Sequence, residues 1–168
     1  MKLLSSNKKN KENKVKDYIV NNQESFYKVA YSYVKNQDDA LDIVHDSICK
    51  ALSKLDSLKD EKAIKSWFYK ILVNSSIDYI RKNNKYVNLS EEALDSKYNS
   101  NDIYTDIDLE RALEKLPEEY RIIIVLRYFE DMKIDEIANI LSQNTNTIKT
   151  KLYTGLRRLK IKIKMEDY

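Results

Sequence analysis

Apolar residues recur along the chain at helical spacing, in blocks separated by polar breaks. Val15, Ile19, Phe26, Val29, Ala30 and Tyr33 fall on one stripe, which predicts a first amphipathic helix over residues 15–33. A second is expected to begin at Asp38 and Asp39, whose carboxylates can cap its start, with Leu41, Val44, Ile48, Leu52 and Leu55 on its core face. A third, over residues 63–85, turns Ile64, Trp67, Phe68, Ile71, Leu72 and Tyr79 inward and closes a compact unit. From residue 86 to 108 the periodicity fails and Ser, Asn, Asp and Glu dominate. A flexible linker is expected there, separating residues 15–85 from a second unit over residues 109–164.

In that second unit, Leu116-Pro117 marks a pause. Proline suits the first position of a helix, and Glu118 and Glu119 follow at the positive end of the helix dipole. A short helix over residues 134–141, a polar turn at Ser142, Gln143 and Asn144, and a long last helix over about residues 145–164 complete the pattern.

With one Gly and one Pro in 168 residues, the chain has almost no turn chemistry for a β-sandwich or barrel. The expected fold is all-α: two small helical domains, an N-terminal unit of three to four helices and a C-terminal unit of four, joined by the linker. Cys49 is alone, so no internal disulfide can form, and no Cys/His cluster has zinc-site spacing. Neither a metal nor a cofactor is expected. No apolar run reaches the roughly 18 residues of a membrane span. The basic N-terminus has only Leu3-Leu4 as an apolar pair, far short of a signal-peptide core. Residues 1–14 therefore read as a basic disordered tail, and the protein as soluble and cytoplasmic.

Charge is unevenly divided. Residues 1–16 carry six basic residues against one acidic, residues 86–109 one against six, and residues 142–168 seven against two. A basic last helix beside an acidic stretch fits a localised face for a polyanion, although an ordinary solvated helix surface has the same signature.

The last two predicted helices have helix-turn-helix proportions: a short helix with small Ala138 where a partner must approach, a tight turn, and a longer basic helix. Thr145, Asn146, Thr147, Lys149, Thr150, Lys151, Tyr153 and Arg157 are the candidates for contact with duplex DNA. The short polar and basic residues at the helix start reach base edges and phosphates, and Arg157, Arg158 and Lys160 reach the backbone. Ile148, Leu152, Leu156 and Leu159 form the buried stripe opposite. Packed helices with a basic surface also occur in proteins that never touch DNA.

The strings Leu116-Pro117-Glu118-Glu119-Tyr120-Arg121, Leu126-Arg127-Tyr128-Phe129-Glu130, Asp135-Glu136-Ile137-Ala138 and Thr147-Ile148-Lys149-Thr150-Lys151-Leu152 narrow the choice. In order and spacing they resemble the fourth conserved region of sigma-70 family sigma factors of the extracytoplasmic-function (ECF) group. Asp38-Asp39-Ala40-Leu41-Asp42-Ile43-Val44-His45-Asp46 resembles the polymerase-binding helix of the family's second region. Trp67-Phe68-Tyr69-Lys70-Ile71, Asn74 and Asp78-Tyr79-Ile80-Arg81-Lys82 resemble its promoter-melting helix. Asn146, and Asp131 in the preceding turn, stand where the family usually has Gly.

The resemblance implies a non-enzymatic adaptor, with no catalytic residue and no small-molecule substrate, that binds core RNA polymerase and directs it to promoters. It implies polymerase contact at Asp39, Asp42, Ile43, His45 and Asp46, and recognition of single-stranded minus-10 DNA by Lys62, Lys65, Trp67, Tyr69, Lys70, Asn74, Tyr79, Arg81 and Lys82. The last helix would read the minus-35 duplex. An inhibitory anti-sigma partner is implied as well. Physical chemistry agrees in part: Asp42 and Asp46 share a helix face that could dock on a basic coiled coil, and extruded bases need aromatic stacking and a cationic channel. Trp67 also falls on the apolar stripe, where a core role competes with a stacking one. The rival reading is a stand-alone helix-turn-helix regulator, which accounts for the C-terminal unit and leaves the N-terminal motif unexplained.

Overall fold

A computed structural model describes residues 2–87 and 107–166 of the chain, and every regular element among them is helical. The helices are α1 (Lys2–Asn21), α2 (Gln23–Val34), α3 (Gln37–Ser53), α4 (Ile64–Val87), α5 (Ile107–Glu114), α6 (Glu118–Ile124), α7 (Ile134–Leu141) and α8 (Thr145–Glu166). Short 3-10 turns at Leu55–Ser57 and Glu61–Ala63 link α3 to α4, and a π-helical turn, Val125–Phe129, extends α6.

The N-terminal unit packs α2, α3 and α4 around an aromatic centre. The rings of Phe26 and Phe68 lie 4.2 Å apart, Tyr69 meets Phe26 edge-on at 5.5 Å, and Tyr18 closes the cluster at 5.8 Å from Phe26. Such tilted and edge-on contacts suit the aromatic quadrupole and add to area burial. The single helix expected over residues 15–33 is divided: α1 ends at Asn21, and Asn22 leaves helical geometry at φ −124° and ψ 16° before α2 begins. The basic segment expected as a disordered tail is helical from Lys2. Three of its lysines are held by the loop before α4, where Lys8 pairs with Asp56 at 3.3 Å, Lys14 with Glu61, and Lys11 donates to the Leu58 carbonyl at 2.7 Å.

Asn36, rather than Asp38 or Asp39, caps α3, its side-chain oxygen accepting the Asp39 N–H at 3.0 Å; the two aspartates occupy the first turn. The buried face of α3 is Ala40, Ile43, Val44, Ser47 and Ala51, while Leu41 is 56% exposed. The expected stripe is therefore rotated. Small Ala and Ser residues on the true inner face let α2 and α4 approach closely.

In the C-terminal unit α8 crosses α5, α6 and α7 over Ile122, Ile123, Ile124, Ile137, Ile140, Ile148, Leu152 and Leu159, all buried. Gly155 is buried where α8 meets α6; a Cβ there would lie 3.0 Å from the Tyr120 Cβ and 3.1 Å from the Ile124 Cδ1. Pro117 precedes the first helical residue, Glu118. Asp131, where the family usually has Gly, sits at φ 48°, a left-handed conformation that aspartate adopts more readily than most residues.

The two units form one continuous core. Helices α2 and α4 pack on α6, its π-helical turn and α7. Polar contacts cross the seam at two places: Arg121 donates to the Ser32 carbonyl at 2.7 Å and Lys35 to the Glu114 carbonyl, while Lys65, Tyr69 and Lys70 of α4 bond to Glu130 and Asn139. Most of the linker expected over residues 86–108 lies outside the described residues; its first two positions belong to α4 and its last two to α5.

Candidate polymerase and nucleic-acid interfaces

Along α3 the side turned away from the core presents Asp42, His45 and Asp46, all exposed, with Leu41 beside them. Burial works against ionisation of Asp46, but hydrogen bonds from Lys50 and Ser75 outweigh it and hold the carboxyl below its usual range. Lys50 meets Asp46 at 2.7 Å. Two expected members of this face are placed differently. Ile43 is 1% exposed and packs in the core, so it offers no docking surface. Asp39 is half-buried and accepts a hydrogen bond from the Tyr79 hydroxyl at 2.5 Å. That bond raises the Tyr79 pKa above its ordinary value, with burial adding to it. The apolar member of the patch is Leu41, which the periodicity had assigned to the core.

The candidate minus-10 residues divide into two groups. Lys62, Asn74, Arg81 and Lys82 are exposed. Asn74 and Arg81, seven apart, lie on one side of α4 and line a cleft of about 490 Å³ with Lys50 of α3, Lys54 just beyond its end and Ser142 of the helix-turn-helix corner. Lys50 and Lys54 were not among the candidates; their spacing of four on a helix that ends beside Asn74 was the available signal. The Trp67 indole N–H donates to the Ser57 Oγ at 2.9 Å, and Leu58 is buried under the same loop. Trp67 thus braces the 56–62 loop, with its ring half-buried.

The other group is engaged. Tyr69 is 1% exposed, and its hydroxyl donates to a buried carboxylate oxygen of Glu130. Burial, then the hydrogen bond and charge of Glu130, push the Tyr69 pKa far up. Lys65 donates to the Glu130 carbonyl, and Lys70 to the Asn139 Oδ1 at 3.0 Å. The expectation of Tyr69 as an open stacking platform is corrected: a second packing face, supplied by the C-terminal unit, covers it.

At the helix-turn-helix, Ser142 takes φ 53° to end α7, and the Gln143 N–H returns to the Ala138 carbonyl at 2.9 Å. Asn144 then caps α8, its side chain accepting the Thr147 N–H at 2.7 Å. With Ile148 and Leu152 buried, Asn146, Lys149, Thr150, Tyr153 and Arg157 form an exposed arc, Tyr153 at 70%. Thr145 and Thr147 border it, half-buried. Lys151 is turned aside to Glu119 at 3.0 Å, and the Arg158 guanidinium lies 4.7 Å over the Tyr120 ring. Among the described residues no metal-binding cluster is found, and no helix is long and apolar enough to cross a membrane.

Comparison with known proteins agrees with this division. The family described as Sigma-70 region 2 matches residues 18–86, and that described as Sigma-70, region 4 matches residues 106–159. The chain is 50% identical to the RNA polymerase sigma factor SigV of Bacillus subtilis over 151 residues, covering 89% of this chain and 90% of SigV. It is 26% identical to the ECF RNA polymerase sigma factor SigW of the same organism over 95% of this chain and 94% of SigW. Among solved structures, the sigma factor RpoE of Bartonella quintana, in complex with the anti-sigma factor NepR, superposes with a TM-score of 0.80 at 26% identity, over 89% of this chain and 96% of that one. Both regions stand in the family's order within one chain, and the likeness to SigV runs through both: this protein belongs to the sigma-70 family, among the ECF sigma factors.

Proposed function

We propose that this ECF sigma factor grips core RNA polymerase through the exposed acidic side of α3, with Asp42, His45 and Asp46 flanking Leu41, and carries promoter specificity on α4 and α8. The observation that carries the reading is the presence of regions 2 and 4 in one chain with the acidic side of α3 and the polar arc of α8 both uncovered. An acidic patch with an apolar centre suits a basic, partly apolar helical partner. The arc of Asn146, Lys149, Thr150, Tyr153 and Arg157 has the size and chemistry to enter a major groove and read the minus-35 element. Asn74, Lys62, Arg81 and Lys82, with Lys50 and Lys54, offer a cationic path for the minus-10 single strand.

The chain acts as an adaptor in the cytoplasm and leaves bond-making to the polymerase. Weak contacts joined in one chain gain from effective concentration, so promoter binding is strongest once polymerase holds the chain. An anti-sigma partner follows by analogy with the RpoE complex. A stand-alone regulator would use α7 and α8 and leave the region 2 match without a purpose.

The test is transcription by sigma-free core polymerase on a promoter library, with and without the chain. New start sites preceded by paired elements at one fixed spacing are the expected result. Transcripts that never depend on the chain, with core active under another sigma factor, would overturn the proposal.

A further inference from the structure

We infer that α1 is a positioning element for the minus-10 strand: Lys8, Lys11 and Lys14 fix the 56–62 loop and neutralise its carboxylates, so that exposed Lys62 meets the strand from one defined place. The inference rests on the proposed role of Lys62 and α4. The three lysines stand three residues apart, and their partners, Asp56, the Leu58 carbonyl and Glu61, follow in the same order along the loop. That shared order is the register of a helix laid along the loop. All three lysines precede residue 18, where the match to Sigma-70 region 2 begins.

The helix that carries these lysines is itself anchored. Val15 is fully buried, Ile19 is buried beside it, and the Tyr18 ring meets Phe26 in the aromatic centre. Leu58 is 1% exposed and lies between the two 3-10 turns, where its carbonyl stands outside any helical ladder; Lys11 supplies a partner for it. From the other side Trp67 holds Ser57, and within the loop the Asp60 side chain accepts the Lys62 N–H at 2.9 Å. The loop is thus clamped between α1 and α4, and Lys62 projects from a fixed backbone. Charge makes the same demand. Residues 56–62 carry Asp56, Asp60 and Glu61 against Lys59 and Lys62, an acidic balance that repels a phosphate strand. Pairing of Asp56 and Glu61 with α1 turns that balance basic. Single exposed ion pairs contribute little to folding, so the value of these lies in placement and charge.

The test uses the full-length chain assembled with core polymerase and a fluorescein-labelled single strand that carries the minus-10 sequence of a promoter it transcribes. Replacing Lys8, Lys11 and Lys14 together by Gln should weaken strand binding by about tenfold, with helical content and minus-35 duplex binding unchanged, and replacing all three by Arg should preserve it. Salt dependence separates bracing from direct contact. Three lysines that touched phosphates themselves would take about two from the slope of log affinity against log salt, whereas a displaced Lys62 takes less than about one. A loss of about two would overturn the inference. A charge exchange gives the second measurement. Lys14→Glu should weaken strand binding, and Glu61→Lys added to it should restore binding by more than Glu61→Lys changes it in the unaltered chain. Strict additivity of the two changes would also overturn the inference, because charges that act on the strand independently add. If Lys62→Ala weakens binding and the Gln variant does not, α1 has no positioning role and the role of α4 stands. If Lys62→Ala leaves binding unchanged, the role of Lys62 fails and the inference falls with it.

Discussion

The Tyr69 phenol donates a hydrogen bond to the Glu130 carboxylate inside the seam between the two helical units, joining α4 to the turn that follows the π-helical extension of α6. Tyr69→Phe leaves a buried carboxylate without its donor, and Glu130→Gln weakens a charge-assisted bond; removing one partner of such a pair costs about 1–3 kcal/mol. A double-mutant cycle with Tyr69→Phe and Glu130→Leu, followed by urea unfolding, should show a coupling of about 1–2 kcal/mol. Strict additivity would mean that the bond contributes nothing to stability.

Asp42 is exposed, whereas Asp46 is partly neutralised by Lys50. Asp42→Lys should therefore weaken association with core polymerase by about tenfold at low salt, and by less as salt is raised. Helical content and melting temperature should stay the same. Binding by surface plasmon resonance at two ionic strengths checks both the size and the salt dependence.

Lys149 and Lys151 are expected to behave differently. Lys149 stands on the open arc of α8, while Lys151 is drawn to Glu119. In the polymerase-bound state, Lys149→Ala should lower the slope of log affinity against log salt for a minus-35 duplex by about one, the mark of one lost phosphate contact. Lys151→Ala should change that slope by clearly less. Titration of each variant across a salt series decides between the two positions.

Gly155 stands where α8 crosses α6. In an open helix, Gly→Ala would stabilise by about 1 kcal/mol. Here the added methyl meets the Tyr120 Cβ, an atom fixed to the backbone, at 3.0 Å, and helix α6 has to shift. Overpacking of that kind costs about 1–3 kcal/mol, so after the helix-propensity gain Gly155→Ala should lie between neutral and destabilising by about 2 kcal/mol, with Gly155→Val clearly worse. Thermal unfolding of the pair measures it.

Burial raises the pKa of Tyr18, Tyr33 and Tyr69 well above the ordinary value of about 10. The neutral phenols are the forms compatible with the fold. Their contribution to stability is complete below the unfolded-state value near 10 and is lost as pH rises past it toward the folded-state values. Absorbance at the phenolate band should show exposed tyrosines ionising gradually, and a buried group ionising only together with loss of helix. Smooth ionisation of all tyrosines with helix intact would contradict the burial of the three.

Helix positions and the helix-turn-helix were legible because long amphipathic segments announce their period; the expected bounds of α7 match the observed Ile134–Leu141. Ile43 and Leu41 were exchanged for a definite reason. Hydropathy ranks Leu41, Ile48 and Leu52 above Ala40, Ser47 and Ala51, yet close packing against α2 and α4 selects the small residues. Tyr69 was misplaced because α4 has two buried sides, and the second exists only through a unit distant in sequence. The break at Asn22 had no Gly or Pro to mark it. The spacing of Lys50 and Lys54 was legible, but their place in the cationic cleft was not, because their neighbours Asn74 and Arg81 come from another helix.

Lys35, Asp131 and Ser142 all adopt positive φ, and none of them is glycine. Each stands just beyond a helical segment: α2, the π-helical extension of α6, and α7. A side chain in that conformation sits uphill of its relaxed geometry, so these corners do not direct the helices they join. The helices, once buried against one another, hold the corners in place. Such a chain keeps its bends only while its interior is intact, and an injury to the interior will be felt first where the backbone changes direction.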